Sequence, residues 1–212
     1  EGELCLFLDS GVLPTTRCLA EHWRLYLQHG PKLVTLGYIY GNDLVSDLDE
    51  MRAIIDGNSP DQAAAIMRAR HMLDGRERDY AQCGDDLSRW PAPWMELWSL
   101  HFSVPTAFMR GEGVYFDGFF CTWGCEDNDF GIQAHSKGAR FVLARGAEAI
   151  HYPARVRSYD RLHNDPGFRA GWLKNKEYLK QKWAGHGLVQ LWREKGGKAV
   201  KALPLLDLEG EG

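Results

Sequence analysis

The densest group of side chains that could do chemistry lies between positions 120 and 131, in the segment FCTWGCEDNDFG. It contains the carboxylates Glu126, Asp127 and Asp129, and the aromatic side chain of Trp123 stands just before them. Neighbouring carboxylates can divide general acid–base work, with one accepting a proton while the other holds the substrate. A capped, solvated helix start uses the same residue types, so both interpretations are open at this point.

The acidic run is expected to open a helix. Residues 128–136 read as helical, because Lys137 places a cation in the last turn and Gly138 permits a left-handed stop. Glu126 and Asp127 then lie at or just before the N-terminus, where free backbone N–H groups and the helix dipole favour ionised carboxylates. If the winding already includes these two residues, their side chains point about 100° apart and can take different roles.

Composition excludes several classes of protein. The chain has 212 residues, 44% of them hydrophobic and 25% charged, with a net charge of -4. We expect one domain over residues 1–212, with residues 184–212 forming a C-terminal helix and tail. The negative charge disfavours nucleic-acid binding, and no apolar segment is long enough for a membrane span. The five cysteines are irregularly spaced and predict reduced thiols in a cytoplasmic protein, with Cys121 and Cys125 packing rather than binding zinc.

The apolar run LCLFL at positions 4–8 predicts a strand buried on both faces, and it delivers Asp9, Ser10 and Gly11 at its end. Ligands of open α/β sheets bind at such strand ends. Residues 32–40 predict a second buried strand.

The helix between these two strands should begin near Pro14 and Thr15. Its expected apolar face carries the side chains of Leu19, Trp23, Tyr26 and Leu27.

The middle of the chain alternates helical and extended patterns. Helices are predicted over residues 46–55 and 59–73, the second with a capping box formed by Ser59 and Gln62. Residues 76–93 lack periodicity and predict an ordered loop. Ser99, His101 and Ser103 are spaced by two, as on one face of a strand.

The remaining segments follow the acidic helix. Two strands are predicted at residues 139–143 and 147–152, and two helices at residues 168–183 and 188–194, before a loosely held tail.

Taken in order, these motifs resemble the second half of GT-A fold glycosyltransferases. The matching segments are LFLDSG at 6–11, the segment from Trp94 to Ser103, WGCED at 123–127 and AIHYP at 149–153. The likeness is to family 2 enzymes and to the galactosyltransferase C-terminal region, and it covers residues 4 to about 183. It implies an α/β fold with a mixed, mainly parallel sheet flanked by helices, lacking part of the N-terminal nucleotide-binding half.

The resemblance also implies a reaction and its residues. An inverting transfer would move a sugar from a nucleotide-sugar donor to a hydroxyl of a glycan or small-molecule acceptor, with Asp127 as general base. Glu126 would share the catalytic site by holding acceptor hydroxyls, beside Trp123. On the donor side it implies Asp9, Ser10, His101 and Ser103 as nucleotide or donor contacts.

A divalent metal, Mn²⁺ or Mg²⁺, would stabilise the departing diphosphate, and Asp9 and His151 are its candidate ligands. The family usually reads Asp-x-Asp or Asp-x-His at the strand end, whereas Gly11 stands in the third place here. The nucleotide-binding half that normally precedes this strand is expected either to lie upstream of residue 1 or, in a truncated relative, to be lacking.

Other interpretations remain for each residue. Asp9 could cap a turn, His151 could be a satisfied structural histidine, and Trp123 could belong to the core. Arg155, Arg157 and His163 could meet phosphate or simply be solvated. A catalytically inactive or truncated relative that binds a glycan or protein is the main alternative for the whole chain, whereas a metal-dependent hydrolase would need more ligands near Asp9.

Overall fold

A five-stranded sheet lies at the centre of the protein, with its strands in the order β1-β4-β3-β5-β2. The computed structural model describes residues 2–41, 48–153 and 158–208. The strands are β1 (Leu4–Leu8), β2 (Val12–Pro14), β3 (Leu33–Tyr40), β4 (His101–Pro105) and β5 (Arg140–His151). The helices in this part of the chain are α1 (Cys18–His29), α2 (Leu48–Asp56), α3 (Pro60–Ala69), α4 (Glu77–Cys83), α5 (Thr106–Glu112), α6 (Glu126–Ser136), α7 (Ser158–Asn164), α8 (Pro166–Lys182), α9 (Gly187–Lys195) and α10 (Gly197–Lys201).

The α/β class and a mixed sheet flanked by helices are confirmed. The expectation of a mainly parallel sheet is wrong for the described residues. Only β3 and β5 run parallel, while β1–β4, β3–β4 and β2–β5 are antiparallel. A strand with both faces covered gives a continuous apolar run in either orientation, so the sequence pattern does not distinguish the two.

The first strand is an edge strand and is not buried on both faces, which corrects the prediction for residues 4–8. It pairs with β4 alone among the described strands, and its side chains are half-buried, with Leu8 37% exposed. An edge position leaves one side of the backbone without a strand partner. The residues of β1 are therefore more apolar than their observed exposure would require.

Helix α1 presents a different face to the sheet from the one predicted. Its buried residues are Cys18, His22 and Leu25, whereas Leu19 is 63% and Leu27 67% exposed. The helix also begins at Cys18, later than Pro14, because residues 12–14 form β2. Polar side chains of the facing strand β4, described below, lie against this less apolar stripe.

The two faces of the sheet bury different side chains. On one face, Leu25 of α1 packs with Leu33, Val142 and neighbouring residues. On the other face, the larger core gathers side chains from β3, β4 and β5 with those of α2, α3, α4, α6, α8 and α9. Phe102 and Phe130, with ring centroids 5.4 Å apart, join β4 to α6 in that core.

The predicted pair of strands at 139–143 and 147–152 is one strand with a bulge. Gly37 of β3 pairs with Ala144, but the next residue, Tyr38, pairs with Glu148. Residues 145–147 are therefore extra on β5 and form the bulge. They interrupt the apolar pattern of the strand, which is why the sequence predicted two strands.

Most predicted helices exist with shifted ends. Ser59 and Gln62 form the expected capping box at α3, and the helices predicted at 168–183 and 188–194 appear as α8 and α9. The helix predicted from residue 46 is described only from Leu48, and its first positions lie outside the described residues. The predicted loop at 76–93 instead contains α4 and a short 3₁₀ turn, Leu87–Arg89.

The tail is only partly as expected. Leu203 and Leu205 pack against the core, and the backbone N–H of Leu206 donates to the carbonyl of Arg89.

Candidate active site

One end of the sheet collects the segments that the sequence had marked. The Asp9 backbone N–H donates to the Leu100 carbonyl at 3.0 Å, and the Tyr152 N–H donates to the Gly11 carbonyl at 2.9 Å. Val12 of β2 pairs directly with His151 at the end of β5. These backbone bonds hold the turn after β1, the start of β4 and the end of β5 together.

Asp9 and His151, the two predicted metal ligands, are neighbours. Oδ2 of Asp9 lies 4.0 Å from Nε2 of His151, with side chains 52% and 16% exposed. The other carboxylate oxygen of Asp9 accepts the Ser10 backbone N–H at 2.8 Å, so the exposed turn is ordered. An oxygen and a nitrogen at this separation can bind the same cation.

Gly11 stands where a third ligand would be expected. Its φ is +86°, and a Cβ added there would approach only the Cβ of Tyr152, at 3.9 Å. There is room for a side chain, but the left-handed backbone disfavours one. Among the described residues, the cluster of three or more potential ligands lies elsewhere, around Cys18.

The entrance to α6 is fixed from outside the helix. Cys125, immediately before the helix, has a left-handed φ of 76°. The side-chain amide of Asn175 on α8 donates to the carbonyls of Thr122 at 2.8 Å and Gly124 at 2.9 Å. A Cβ at Gly124 would meet Trp172 at 2.7 Å. Helix α8 therefore clamps the loop that delivers the acidic residues, and α6 begins at Glu126, two residues earlier than predicted.

Asp129 has a structural role. Its side chain is fully buried, and it accepts hydrogen bonds from Lys182 Nζ at 2.9 Å and from Trp183 Nε1 at 2.7 Å. Lys182 also pairs with Asp117 at 2.7 Å. These bonds join α6 to the end of α8 and leave Asp129 unavailable for substrate.

Glu126 differs from Asp129, because no described residue donates a hydrogen bond to its buried Oε2. Burial is the main cause that raises the pKa of Glu126, and the charge of Asp9 acts in the same direction. A buried carboxylate oxygen without a partner is costly unless a ligand or water supplies a donor. Oε2 of Glu126 is therefore able to accept a hydrogen bond from a hydroxyl group of a bound molecule.

Asp127 combines partial burial with a strongly shifted pKa. Burial, followed by the charge of Glu126, raises the pKa of Asp127 to about 7, against hydrogen bonds from the backbone at Asn128 and Ser99. The Asn128 bond to Oδ1 is 2.7 Å long. The backbone hydrogen bonds at the helix start favour the ionised carboxylate, as expected, but the opposing effect of desolvation on the pKa is larger. A carboxyl with a pKa near 7 is a better proton acceptor than an ordinary aspartate.

Trp123 is 45% exposed and does not belong to the core. One face of its indole stacks on Phe168 of α8, with ring centroids 5.3 Å apart and an angle of 24° between the planes. The sequence did not point to Phe168 or Asn175 as supports of this loop, since contacts between α8 and residues 122–124 are distant in the chain.

His101 and Ser103 are not brought to this end of the sheet. Both side chains are buried, 1% and 0% exposed, and they point towards α1, where Ser103 bonds to His22. Neither can contact a donor in this structure, although Ser99, which precedes them, does lie beside Asp127. The prediction that Ser99, His101 and Ser103 share one face of a strand is correct only for His101 and Ser103, because β4 begins at His101.

Arg155 and Arg157 lie outside the described residues. His163 is exposed on α7. No helix in the described part of the chain is long and apolar enough to cross a membrane.

No protein-family model matches the chain. Over 162 residues it is 31% identical to a validoxylamine A glucosyltransferase of Streptomyces hygroscopicus subsp. jinggangensis (strain 5008), covering 76% of this chain and 37% of that protein. A protein of the same name from Streptomyces hygroscopicus subsp. limoneus is also 31% identical over 162 residues, with coverages of 76% and 34%. The match thus spans about a third of the length of these curated relatives, both of which are glycosyltransferases by name.

Proposed function

We propose that the chain forms the catalytic and acceptor-binding part of a glycosyltransferase with a GT-A-like fold. It would move a sugar from a nucleotide-sugar donor to an acceptor hydroxyl with inversion of the anomeric centre. The observation that carries the proposal is the pairing of Asp127, whose pKa is raised to about 7, with the unpartnered Oε2 of Glu126 at the start of α6. The similarity to two proteins named as glucosyltransferases supports the same reaction class.

In the proposed reaction, Asp127 removes the proton from the acceptor hydroxyl as its oxygen attacks the anomeric carbon. The new carbon–oxygen bond forms while the bond to the donor diphosphate breaks, and the electron pair leaves with the phosphate oxygen. The raised pKa brings the base close to neutral pH, where proton transfer is most efficient. The single displacement reverses the configuration of the sugar.

Glu126 and Trp123 would bind the acceptor. Oε2 of Glu126 accepts a hydroxyl hydrogen bond, which relieves the cost of leaving this oxygen without a donor. The exposed face of Trp123, held by its stack on Phe168, suits the C–H face of a sugar ring. Together they would orient one hydroxyl towards Asp127.

Asp9, Ser10 and His151 would form the donor side. The residues fit a divalent cation in part, because Asp9 and His151 offer one oxygen and one nitrogen 4.0 Å apart, a set compatible with Mn²⁺ or Mg²⁺. When bound, the cation would neutralise negative charge that develops on the departing diphosphate. Asp9 would hold it from the turn after β1, and His151 from the end of β5.

The alternative is a relative that binds a glycan without catalysis, and Gly11 favours it by removing one expected ligand. Incubating the full native chain with nucleotide-hexose donors, glucose first, and a panel of hydroxyl acceptors distinguishes the two. We expect transfer with Mn²⁺, and NMR of the product should show the inverted anomeric configuration. Glycan binding without turnover of any donor would favour the alternative, and retention of configuration would contradict the role of Asp127.

A further inference from the structure

Three potential metal ligands converge on the face of the sheet opposite α6. Cys18 and His22 are one helical turn apart on the buried face of α1, and His101 faces them from β4. Nε2 of His101 lies 3.2 Å from the Cys18 Sγ and 2.9 Å from the His22 Nε2. The three ligand atoms lie within 4.8 Å of one another, and all three residues are buried.

Hydrogen bonding alone satisfies this cluster poorly. Nε2 of His101 has either one proton to donate or one lone pair to accept with, yet it faces both Cys18 and His22. Thr35, which pairs with Ser103 in the sheet, also has a buried Oγ1 without a partner among the described residues. The neighbouring core of this layer is apolar, and buried polar groups in such surroundings favour the binding of an ion or a water molecule.

We propose that Cys18, His22 and His101 bind one structural Zn²⁺ ion between α1 and β4. One thiolate and two imidazoles are ordinary zinc ligands, with bonds of about 2.3 Å to sulfur and about 2.0 Å to nitrogen. Tetrahedral geometry with these bonds separates ligand atoms by about 3.5 Å. The observed 2.9 and 3.2 Å need only a small spreading, which rotation of the α1 side chains can supply.

The surroundings resemble the second layer of a metal site. Nδ1 of His22 lies 2.8 Å from the Ser103 hydroxyl, which fixes the ring and leaves Nε2 facing the cluster. Gly37 of β3 makes room for His101, because a Cβ at position 37 would overlap the imidazole ring. Ser103 therefore orients the ring of His22, and Gly37 leaves room for the ring of His101 to face the cluster.

The protonation states are compatible with binding. Burial lowers the pKa of His22 to about 4 and of His101 to about 3, so both rings are neutral and can donate lone pairs at neutral pH. Burial also raises the pKa of the Cys18 thiol to about 11. Zn²⁺ would displace the thiol proton to solvent as the zinc–sulfur bond forms.

The test uses the full native chain purified without a histidine tag or chelator. Elemental analysis should find about one zinc per chain, and replacement by Co²⁺ should give a thiolate-to-cobalt charge-transfer band. Cys18→Ser should abolish this band. Cys83→Ser is the matched control and should keep the band. Cys83 is equally buried, and its thiol donates to the backbone carbonyls of Asp79 and Tyr80 rather than facing a histidine.

Because Cys18→Ser could lose the band simply by failing to fold, a second measurement uses the wild-type protein. Alkylation of Cys18, followed by mass spectrometry, should be slowed at least tenfold by Zn²⁺ and restored by chelator, while labelling of Cys83 stays unchanged. The Asp9–His151 pair has no sulfur, so the charge-transfer band reports this cluster whether or not the protein transfers sugar. A metal-free chain that shows neither the band with Co²⁺ nor protection with Zn²⁺ would make the cluster a packing arrangement and overturn the proposal.

Discussion

Replacing Asp127 by Asn tests two properties of this side chain: its role as the general base and the effect of its burial on the free energy of unfolding. The amide keeps the shape and can still accept the Asn128 N–H, but it cannot take a proton from an acceptor hydroxyl. We expect kcat/KM for transfer to fall by about 10²–10⁴-fold, with nucleotide-sugar binding close to that of the wild type. Turnover and calorimetry on the same protein preparation measure the two quantities.

The same substitution should stabilise the fold at high pH. The pKa of Asp127 rises from 3.8 to about 7, so the folded state binds this proton more tightly than the unfolded state. Between these values the unfolded chain has lost the proton while the folded chain keeps it, and wild-type stability therefore falls as pH rises. The free energy of unfolding of the Asn variant lacks this loss.

The magnitude follows from the shift. About three pKa units correspond to an upper limit of about 4 kcal/mol, and since the side chain keeps some solvent contact we expect about 1–2 kcal/mol. In urea unfolding, the free energy of unfolding of the variant should exceed that of the wild type by this amount above pH 7, and the two should be equal near pH 4. Comparing two proteins that share every other titrating group removes the other contributions.

Asp129→Asn is the matched control two positions along the same helix. It loses the ion pair to Lys182 and weakens the bond from Trp183, so it should destabilise the fold by about 2 kcal/mol while folded molecules keep most of their turnover. Turnover of Asp127→Asn within a few fold of the wild type would refute the role of Asp127 as general base. If Asp127→Asn were less stable than the wild type at pH 8, burial of the ionised carboxylate would not destabilise the fold as argued.

Three further outcomes test other parts of the structure. If Asp9 and His151 share a cation, chelator should weaken nucleoside-diphosphate binding in calorimetry and His151→Ala should remove most of the metal-dependent part, whereas binding unaffected by chelator in the wild type would contradict a metal. Trp123→Ala should raise the acceptor KM about tenfold and leave kcat within a few fold, and an unchanged KM would exclude the platform. Arg76→Ala should lower the free energy of unfolding by about 3–5 kcal/mol, because it leaves the buried carboxylate of Asp74 without its ion pair. Arg145→Ala breaks ion pairs that are partly exposed to solvent and should lower it by under about 1 kcal/mol. Equal losses in the two variants would contradict this reasoning.

The sequence predicted the acidic helix, its C-terminal end and the meeting of Asp9 with His151. The helix prediction rests on local signals, since Lys137 and Gly138 mark a helix end. The pairing of Asp9 with His151 was instead implied by the resemblance to GT-A glycosyltransferases. The helix start was missed by two residues because its cause is distant. Asn175 and Trp172 of α8 fix the loop before Glu126, and no spacing near residue 126 encodes that contact.

The buried face of α1 could not be predicted from its own residues. Leu19, Trp23 and Leu27 form the more apolar stripe, yet the structure buries Cys18 and His22. A helix buries the face for which the opposite surface offers partners, and the partners here are polar groups of β4 some 80 positions away. The resemblance placed His101 and Ser103 on the donor side, and the contacts with α1 that hold them elsewhere are equally distant in the chain.

The segment at residues 99–101 joins the two proposed sites. Its first residue lies against Asp127, and the carbonyl of Leu100 accepts the N–H of Asp9. Its last residue, His101, turns to the opposite face and meets Cys18 beneath α1. Because successive residues of a strand point to opposite faces, a ligand that holds His101 also limits how far the backbone before it can move. The hydrogen bond by which the Ser99 backbone lowers the pKa of Asp127 therefore depends partly on packing across the sheet, on the face that α1 covers.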